Sequence, residues 1–445
     1  MRKTLGLTTL SLVVAIWVIF QGLFQPLQAG NGKRTGNLVA TPYVEQIFSF
    51  FCLVVSSSPN WFQNGDKPTS KSEAPSQEPL RRVGMAASFR SCGSQNLGVD
   101  EHLWGELFQP GDKQSLLTAI DYSLRYLQTS AAATAYQGYP VSGINRDRIF
   151  RSLLRFRQLV LSSRSAAELE AAVKREFIFY QSVGKDRLGT VLFTAYYEPV
   201  YAASRVPTPE YRYPIYRRPP DLSSWPKPHP TRKQLEGEDG LQGSKGRLRG
   251  LELFWLRDRL EPYFAQVEGS ARLQLTDGTE TTVGYADNTA YDYTSIGREL
   301  ARDGKLPLKG LTLPIILQYF REHPAELNIY LPRDRSFVFF QENKGGKAMG
   351  SINVPLTASR SIATDKALMP AGALALIHTS IPFKNATTGA MEFRTVSRYV
   401  LDQDTGGAIK GAGRVDYFLG TGSEAGDRAG VTVSNGQLYY LLLKQ

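Results

Sequence analysis

The stretch Asp402-Gln-Asp-Thr-Gly-Gly-Ala-Ile-Lys-Gly-Ala-Gly-Arg-Val-Asp416 combines carboxylates with a glycine-rich turn and leads into a short strand. The run Val415 to Phe418 alternates as a strand does, so Asp416 lies among apolar and aromatic neighbours. Such surroundings disfavour the charged form of a carboxyl, which then keeps its proton near neutral pH, as a general acid must. The ordinary alternative is that Asp416 pairs with Arg414, Lys410 or Arg428.

Residues near Asp416 are candidates for shaping an acid site. Gly406 and Gly407 permit close backbone approach, and Lys410 supplies a cation. Asp404 stands just before the glycines, and Asp365 ends the run Ser361-Ile-Ala-Thr-Asp. Each Asp also has an ordinary explanation, because an Asp before glycine usually binds nearby backbone amides and Asp365 precedes a lysine.

Composition sets broad limits. A chain of 445 residues with 42% hydrophobic and 21% charged residues is long enough for two globular domains. A net charge of +11 favours polyanionic partners, but no nucleic-acid-binding motif occurs, so we expect no nucleic-acid partner. Only Cys52 and Cys92 are present, and the four histidines are scattered without ligand spacing, so we predict neither a metal nor another cofactor.

The N-terminus has the layout of an export signal. Arg2 and Lys3 precede an apolar run from Leu5 to Phe20, and a proline and small residues follow. We interpret 1–30 as a signal peptide or an uncleaved N-terminal anchor. Cys52 follows two phenylalanines, which is not a lipobox. The prediction is an exported, periplasmic protein associated with the outer or inner membrane.

The rest of the chain divides into helical and β-rich parts. Residues 31–105 read as a flexible, low-complexity tether. Helical patterns follow in three segments, after a cap at Asp112, after Asn145, and from Ser165 through Tyr180. Later strand-like runs are interrupted by predicted helices at Leu251 to Phe264 and Pro314 to Glu322, and residues 272–283 predict a β-hairpin around Thr276-Asp-Gly-Thr279.

Ordered motifs over roughly residues 110–445 resemble the membrane-bound lytic murein transglycosylase A family. The motifs are Phe193-Thr-Ala-Tyr-Tyr-Glu-Pro-Val200, Tyr213-Pro-Ile-Tyr-Arg-Arg-Pro219, Trp255, Phe264-Ala-Gln-Val-Glu-Gly-Ser270, Val283-Gly-Tyr-Ala286, Tyr293-Thr-Ser-Ile-Gly-Arg298, Val354-Pro-Leu-Thr-Ala-Ser-Arg-Ser-Ile-Ala-Thr-Asp365, Asp404-Thr-Gly-Gly-Ala-Ile-Lys-Gly411, Val415-Asp416 and Gly420-Thr-Gly-Ser-Glu-Ala-Gly-Asp-Arg-Ala-Gly430. The last part resembles the module named for three aspartates, here Asp365, Asp404 and Asp416.

The resemblance implies a fold that is mainly β with flanking α-helices. It implies a double-psi β-barrel catalytic domain, split in sequence into 106–200 plus 343–445 and including the N-terminal helices. A smaller β-rich domain, 201–342, is inserted, and the substrate groove runs between the two. We expect a monomer.

The resemblance also implies residue roles. Asp416 matches the position of the family's single catalytic acid, and Asp404 lies beside it and supports the substrate or the acid. The segment containing Tyr196, Tyr197 and Glu198 borders the groove, and the family usually has Thr in place of Glu198.

The implied function is a peptidoglycan lytic transglycosylase. It cleaves the β-1,4 bond between N-acetylmuramic acid and N-acetylglucosamine and leaves a 1,6-anhydromuramoyl end, with Asp416 as acid and then base. The glycan strands of peptidoglycan are the expected partner. A hydrolase on the same barrel, with Glu198 as its second acid, and a non-catalytic wall-binding protein are the alternatives.

Overall fold

The computed structural model describes residues 78–83, 97–105, 111–385 and 387–445. The export segment predicted at 1–30, both cysteines and most of the predicted tether lie outside these ranges. None of the helices in the described ranges has the length and apolar character that a membrane crossing requires.

The strands of the described residues build two sheets. In chain order they are β1 (Leu80–Val83), β2 (Phe177–Ser182), β3 (Val191–Glu198), β4 (Val200–Ser204), β5 (Tyr213–Tyr216), β6 (Glu252–Leu256), β7 (Ser270–Leu275), β8 (Glu280–Asn288), β9 (Val338–Glu342), β10 (Ser361–Ala363), β11 (Leu374–Lys384), β12 (Met391–Asp404), β13 (Arg414–Thr421) and β14 (Val433–Leu443). The chain is therefore mainly β, as predicted.

The larger sheet closes into a barrel. Its order is β1-β2-β14-β11-β12-β10-β13-β3, and β3 also pairs with β14, so six strands from β14 to β3 form a closed ring. Closure leaves these six strands no free edge. Phe193, Ile377 and Val415 are fully buried among the apolar residues of this unit. The smaller sheet, β5-β6-β4-β7-β8-β9, has its own core around Phe254 and Phe340.

Helices cover the sheets. They are α1 (Lys113–Leu127), α2 (Ser130–Ala135), α3 (Arg146–Ser162), α4 (Ala166–Glu176), α5 (Arg232–Glu236), α6 (Leu260–Glu268), α7 (Ile296–Arg302), α8 (Leu313–Glu322), α9 (Leu327–Tyr330) and α10 (Ser423–Ala429). Asn145 and Ser165 cap α3 and α4 by accepting backbone N–H groups at 2.9 and 3.2 Å, as their sequences predict. The helix predicted at Pro314 to Glu322 is confirmed as α8.

The predicted hairpin is confirmed, whereas parts of two predicted helices are strands. β7 and β8 pair around the turn that Asp277 stabilises by accepting the N–H of Thr279 at 2.9 Å. The prediction of helix is wrong for 177–180, which forms β2 between β1 and β14, and for 252–256, which forms β6 between β5 and β4. Aromatic and β-branched residues there suit a strand with a neighbour on each side.

Two pieces of the predicted tether are ordered against the barrel. β1 pairs antiparallel with β2. Asp100 is fully buried and accepts a hydrogen bond from the guanidinium of Arg360 at 2.6 Å. Asp112 precedes α1 but does not cap it with its side chain, because its carboxylate binds Arg360 and Arg398 instead. The buried Arg360 guanidinium requires such partners to offset its loss of water.

Candidate active site

The short strand β10 brings Asp404 and Asp416 together. Ala363 of β10 is paired with Asp404 of β12 on one side and with Asp416 of β13 on the other. The two carboxyls therefore lie on strands separated only by β10, although the register of β10 against β12 shifts between Ile362 and Ala363. Burial first, and then the charge of Asp404, raise the pKa of Asp416.

Asp416 has one carboxyl oxygen held and one left open. β3 runs parallel to β13 with Thr194 opposite Asp416, and the Thr194 hydroxyl donates a hydrogen bond to Oδ1. Oδ2 has no hydrogen-bond partner in the described chain and is not among the buried unpaired atoms. Burial raises the pKa of Asp416 above its ordinary value, although the charge of Arg414 and the Thr194 hydrogen bond act in the opposite direction.

Asp404 differs from Asp416 because both of its oxygens are occupied. Oδ2 accepts the hydroxyl of Tyr196 at 2.7 Å, and Oδ1 accepts the backbone N–H groups of Ser351 and Thr405 at 2.8 Å each. Burial raises the pKa of Asp404, and these hydrogen bonds oppose the rise. A carboxyl held by three donors is suited to fixing its neighbours rather than to passing a proton.

Strand β3 supplies one hydrogen-bond donor to each acid. Thr194 and Tyr196 are two residues apart, so their side chains leave the same face of the strand. The ring of Tyr196 also packs on Phe418 of β13, with centroids 5.2 Å apart. Sequence reasoning included Tyr196 but missed Thr194, although the period of two within Phe193 to Val200 was a signal that could have found it.

A third carboxyl, Glu268, reaches the site from outside the barrel. It is the last residue of α6, and its Oε2 accepts the backbone N–H of Tyr197 at 3.1 Å. Burial and the charge of Asp416 raise the pKa of Glu268 to about 8, against the effect of the Tyr197 hydrogen bond. Sequence reasoning missed this residue, because nothing local to the helix end indicates that it packs beside Asp416.

Two domain families match the parts of the chain that carry these residues. Residues 192–341 match the MltA specific insert domain, and residues 360–442 match the 3D domain. The membrane-bound lytic murein transglycosylase A of Escherichia coli (strain K12) is 30% identical over 264 residues, which are 59% of this chain and 68% of that protein. The homolog from Buchnera aphidicola subsp. Schizaphis graminum is 30% identical over 267 residues, 59% of this chain and 69% of that protein.

The chain belongs to the membrane-bound lytic murein transglycosylase A family. A solved structure agrees with this assignment. The crystal structure of a membrane-bound lytic murein transglycosylase from Agrobacterium tumefaciens has a TM-score of 0.60 and 28% identity, over 75% of this chain and 93% of that chain.

In this member of the transglycosylase A family, Asp365 fixes the glycine-rich loop. Its Oδ2 accepts the N–H of Gly411 at 2.7 Å, and Gly411 has a φ of 80°, a conformation that favours glycine. Lys410 is exposed and makes no ion pair with the described residues. Gly406 and Gly407 do not have positive φ, so in this structure their backbone conformation does not itself require glycine.

Glu198, one of the residues predicted to border the groove, is enclosed at the end of β3. Its side chain is fully buried, and Oε2 accepts hydrogen bonds from Arg272 of β7 at 3.3 Å and Thr421 of β13 at 2.8 Å. A buried, paired carboxylate does not reach a substrate in this arrangement. Glu198 instead connects the two sheets.

No metal site accompanies the acids in the described ranges. There, no three histidine, cysteine or carboxylate residues form a group that could hold a metal ion.

Proposed function

We propose that the chain is a peptidoglycan lytic transglycosylase in which Asp416 serves as acid and then as base. Family membership supports the activity. The observation that carries the assignment to Asp416 is its open Oδ2 beside an Oδ1 held by Thr194, in surroundings that raise the pKa. Thr194 donates to Oδ1, so the transferable proton belongs on Oδ2, the oxygen with no partner in the described chain.

The reaction needs only this one proton carrier. Protonated Asp416 donates to the glycosidic oxygen as the bond between N-acetylmuramic acid and N-acetylglucosamine breaks. The resulting carboxylate takes the proton of the muramoyl C6 hydroxyl, whose oxygen closes onto C1 as the 1,6-anhydro ring. The proton that leaves Asp416 is replaced by the one it receives, and no water is consumed.

Asp404 acts in support of Asp416. Its negative charge disfavours ionisation of Asp416, and its hydrogen bonds from Tyr196 and Ser351 connect β12 to β3 and to the loop that precedes β10. Contacts of substrate with Tyr197, Asp365, Lys410, Gly406 and Gly407 stay predictions.

We also propose that the closed barrel is of the double-psi type and that the glycan binds between it and the inserted domain, 201–342. The contact of Glu268 with Tyr197 supports this groove, because it brings a helix of the insert to the strand beside Asp416. An exported, periplasmic location with membrane attachment through 1–30, and a monomeric state, stay predictions from the sequence and the resemblance. A "membrane-bound" description of the relatives supports the location.

Mass spectrometry of products released from purified murein tests the proposal. We expect 1,6-anhydromuramoyl ends from the wild-type protein and loss of release, by at least about 100-fold, in Asp416→Asn, since a general acid contributes about 10²–10⁴-fold. Murein binding and the melting temperature should be retained. Asp404→Asn is the matched control, with a smaller loss. Reducing muramic acid ends would instead indicate a hydrolase, and an active Asp416→Asn would exclude Asp416 as the acid.

A further inference from the structure

Glu268 is a carboxyl beside the site to which the reaction described above gives no task. It ends α6, and Gly269, in the left-handed conformation, closes the helix behind it. Its Oε2 accepts the N–H of Tyr197 on β3, the strand whose Thr194 binds Asp416. The carboxyl is thus carried by the insert and fixed to the barrel.

The backbone of β3 creates the place where Glu268 binds. Pairing of β3 with β14 extends only to Thr194, and pairing with β13 shifts register between Phe418 and Thr421. Tyr197 lies at this irregularity. A backbone N–H that leaves a ladder inside a protein requires another acceptor, and the Glu268 carboxyl provides it.

The surroundings of Glu268 favour its neutral form. It makes no ion pair with the described residues. Burial, aided by the negative charge of Asp416, raises its pKa to about 8. A carboxyl with that pKa is mostly protonated at pH 7. A neutral Glu268 also leaves Asp416 free to become an anion after it has given up its proton, because two adjacent negative charges would repel each other.

The open atom of Glu268 is Oε1. Oε2 receives the Tyr197 N–H, so the proton of the neutral carboxyl belongs on Oε1. Oε1 has no hydrogen-bond partner in the described chain, and it is not among the buried unpaired atoms. Sugar chains with N-acetyl groups offer carbonyl and hydroxyl oxygens that accept a hydrogen bond from such a carboxyl.

We propose that Glu268 is a substrate-binding residue that, in its neutral form, donates a hydrogen bond from Oε1 to an oxygen of the sugar chain beside the bond that Asp416 cleaves. The inference rests on the proposed transglycosylase reaction. It assigns to the insert a direct contact with the sugars at the reacting centre, and it makes this contact dependent on pH.

The other titratable groups around Glu268 do not titrate in the relevant range. Tyrosines from three elements face it: Tyr196 and Tyr197 on β3, Tyr201 on β4, and Tyr293 before α7. Burial raises the pKa of Tyr197 and of Tyr293 to about 12 and raises that of Tyr196 and Tyr201 well above the ordinary tyrosine value. The acids Asp416 and Asp404 also have raised pKa values, caused first by burial.

The pH dependence of kcat/KM on soluble murein glycan strands tests the inference. In the wild type, the decline at alkaline pH should steepen above about pH 8, because Glu268 loses its proton in addition to Asp416. Glu268→Gln keeps an acceptor for Tyr197 and a donor for the sugar but cannot ionise. We expect it to retain kcat/KM at pH 6 within about threefold and to show no added steepening.

Glu268→Ala separates substrate binding from support of the fold. Loss of one hydrogen bond to the substrate should raise KM by about three- to tenfold at pH 6 with a smaller change in kcat. A Glu268→Gln profile that coincides with the wild type at all pH values, or a Glu268→Ala variant with unchanged KM, would overturn the inference. Wild-type protein that yields no anhydromuramoyl ends would instead overturn the proposed function itself.

Discussion

At the scale of single residues, hydrogen-bond occupancy distinguishes the carboxyl of Asp404 from that of Asp416. Both Asp404 and Asp416 have raised pKa values caused by burial, as the aromatic strand around Asp416 predicted for that residue. Asp404 is saturated by donors, whereas Asp416 keeps Oδ2 open. The alternation of β3 could have placed Thr194 on the same face as Tyr196, but its hydrogen bond to Asp416 depends on the pairing of β3 with a strand more than 200 residues later.

Replacing Thr194 by Val should raise the pH at which activity is lost on the alkaline side. The Thr194 hydrogen bond lowers the pKa of Asp416, so its loss raises that pKa, and the protonated acid persists to higher pH. We expect kcat/KM at pH 6 to fall by no more than about tenfold, the equivalent of one hydrogen bond. Thr194→Ser keeps the donor and is the control. A Thr194→Val variant that loses its activity at a lower pH than the wild type would contradict this role of Thr194.

At the scale of elements, the local sequence pattern predicts those helices and turns whose conformation depends mainly on their own residues. The β7–β8 hairpin and α8 carry their own turn and periodicity, and both were predicted correctly. Helix was wrongly predicted for 177–180 and 252–256, because short apolar runs fit either period and distant partner strands decide between them. The sequence predicts that Asp112 caps α1, but its carboxylate instead binds Arg360, a buried residue from a distant part of the chain.

The Arg360→Met variant should unfold at a markedly lower denaturant concentration than the wild type. Arg360 is fully buried and pairs with Asp100, which is also fully buried, and with Asp112. Removing one partner of a buried ion pair costs about 3–5 kcal/mol of unfolding free energy. Urea unfolding followed by circular dichroism measures it. Arg151→Met, which breaks an exposed pair with Asp147, is the matched control and should cost under about 0.5 kcal/mol. Equal losses of unfolding free energy in the two variants would show that the ion pairs of Arg360 do not anchor the start of α1.

At the scale of the whole molecule, the two sheets meet at Glu198. β3 of the barrel ends at Glu198, and β4 of the smaller sheet begins at Val200, so one proline separates them. The carboxylate of Glu198 joins Arg272 of the smaller sheet to Thr421 of the barrel. Sequence reasoning placed Glu198 in the groove as a possible second acid, because the crossing of the chain between sheets is not visible in the motif.

Glu198→Ala should therefore reduce activity through geometry rather than through proton transfer. In the proposed groove, Asp416 lies on the barrel and Glu268 on the inserted part, so a small shift between the sheets would misplace the sugar relative to the acid, and shifts of about 1 Å can lower the rate up to about 100-fold. We expect kcat/KM to fall at least about tenfold while the pH dependence keeps its shape, because the groups that titrate are unchanged. Glu280→Ala removes the other carboxylate bound to Arg272, at 2.6 Å on the exposed side, and should change kcat/KM by less than about threefold. Equal activity of the two variants would show that Glu198 does not maintain the fit between the sheets, and a shifted alkaline limb in Glu198→Ala would show that Glu198 acts on the chemistry instead.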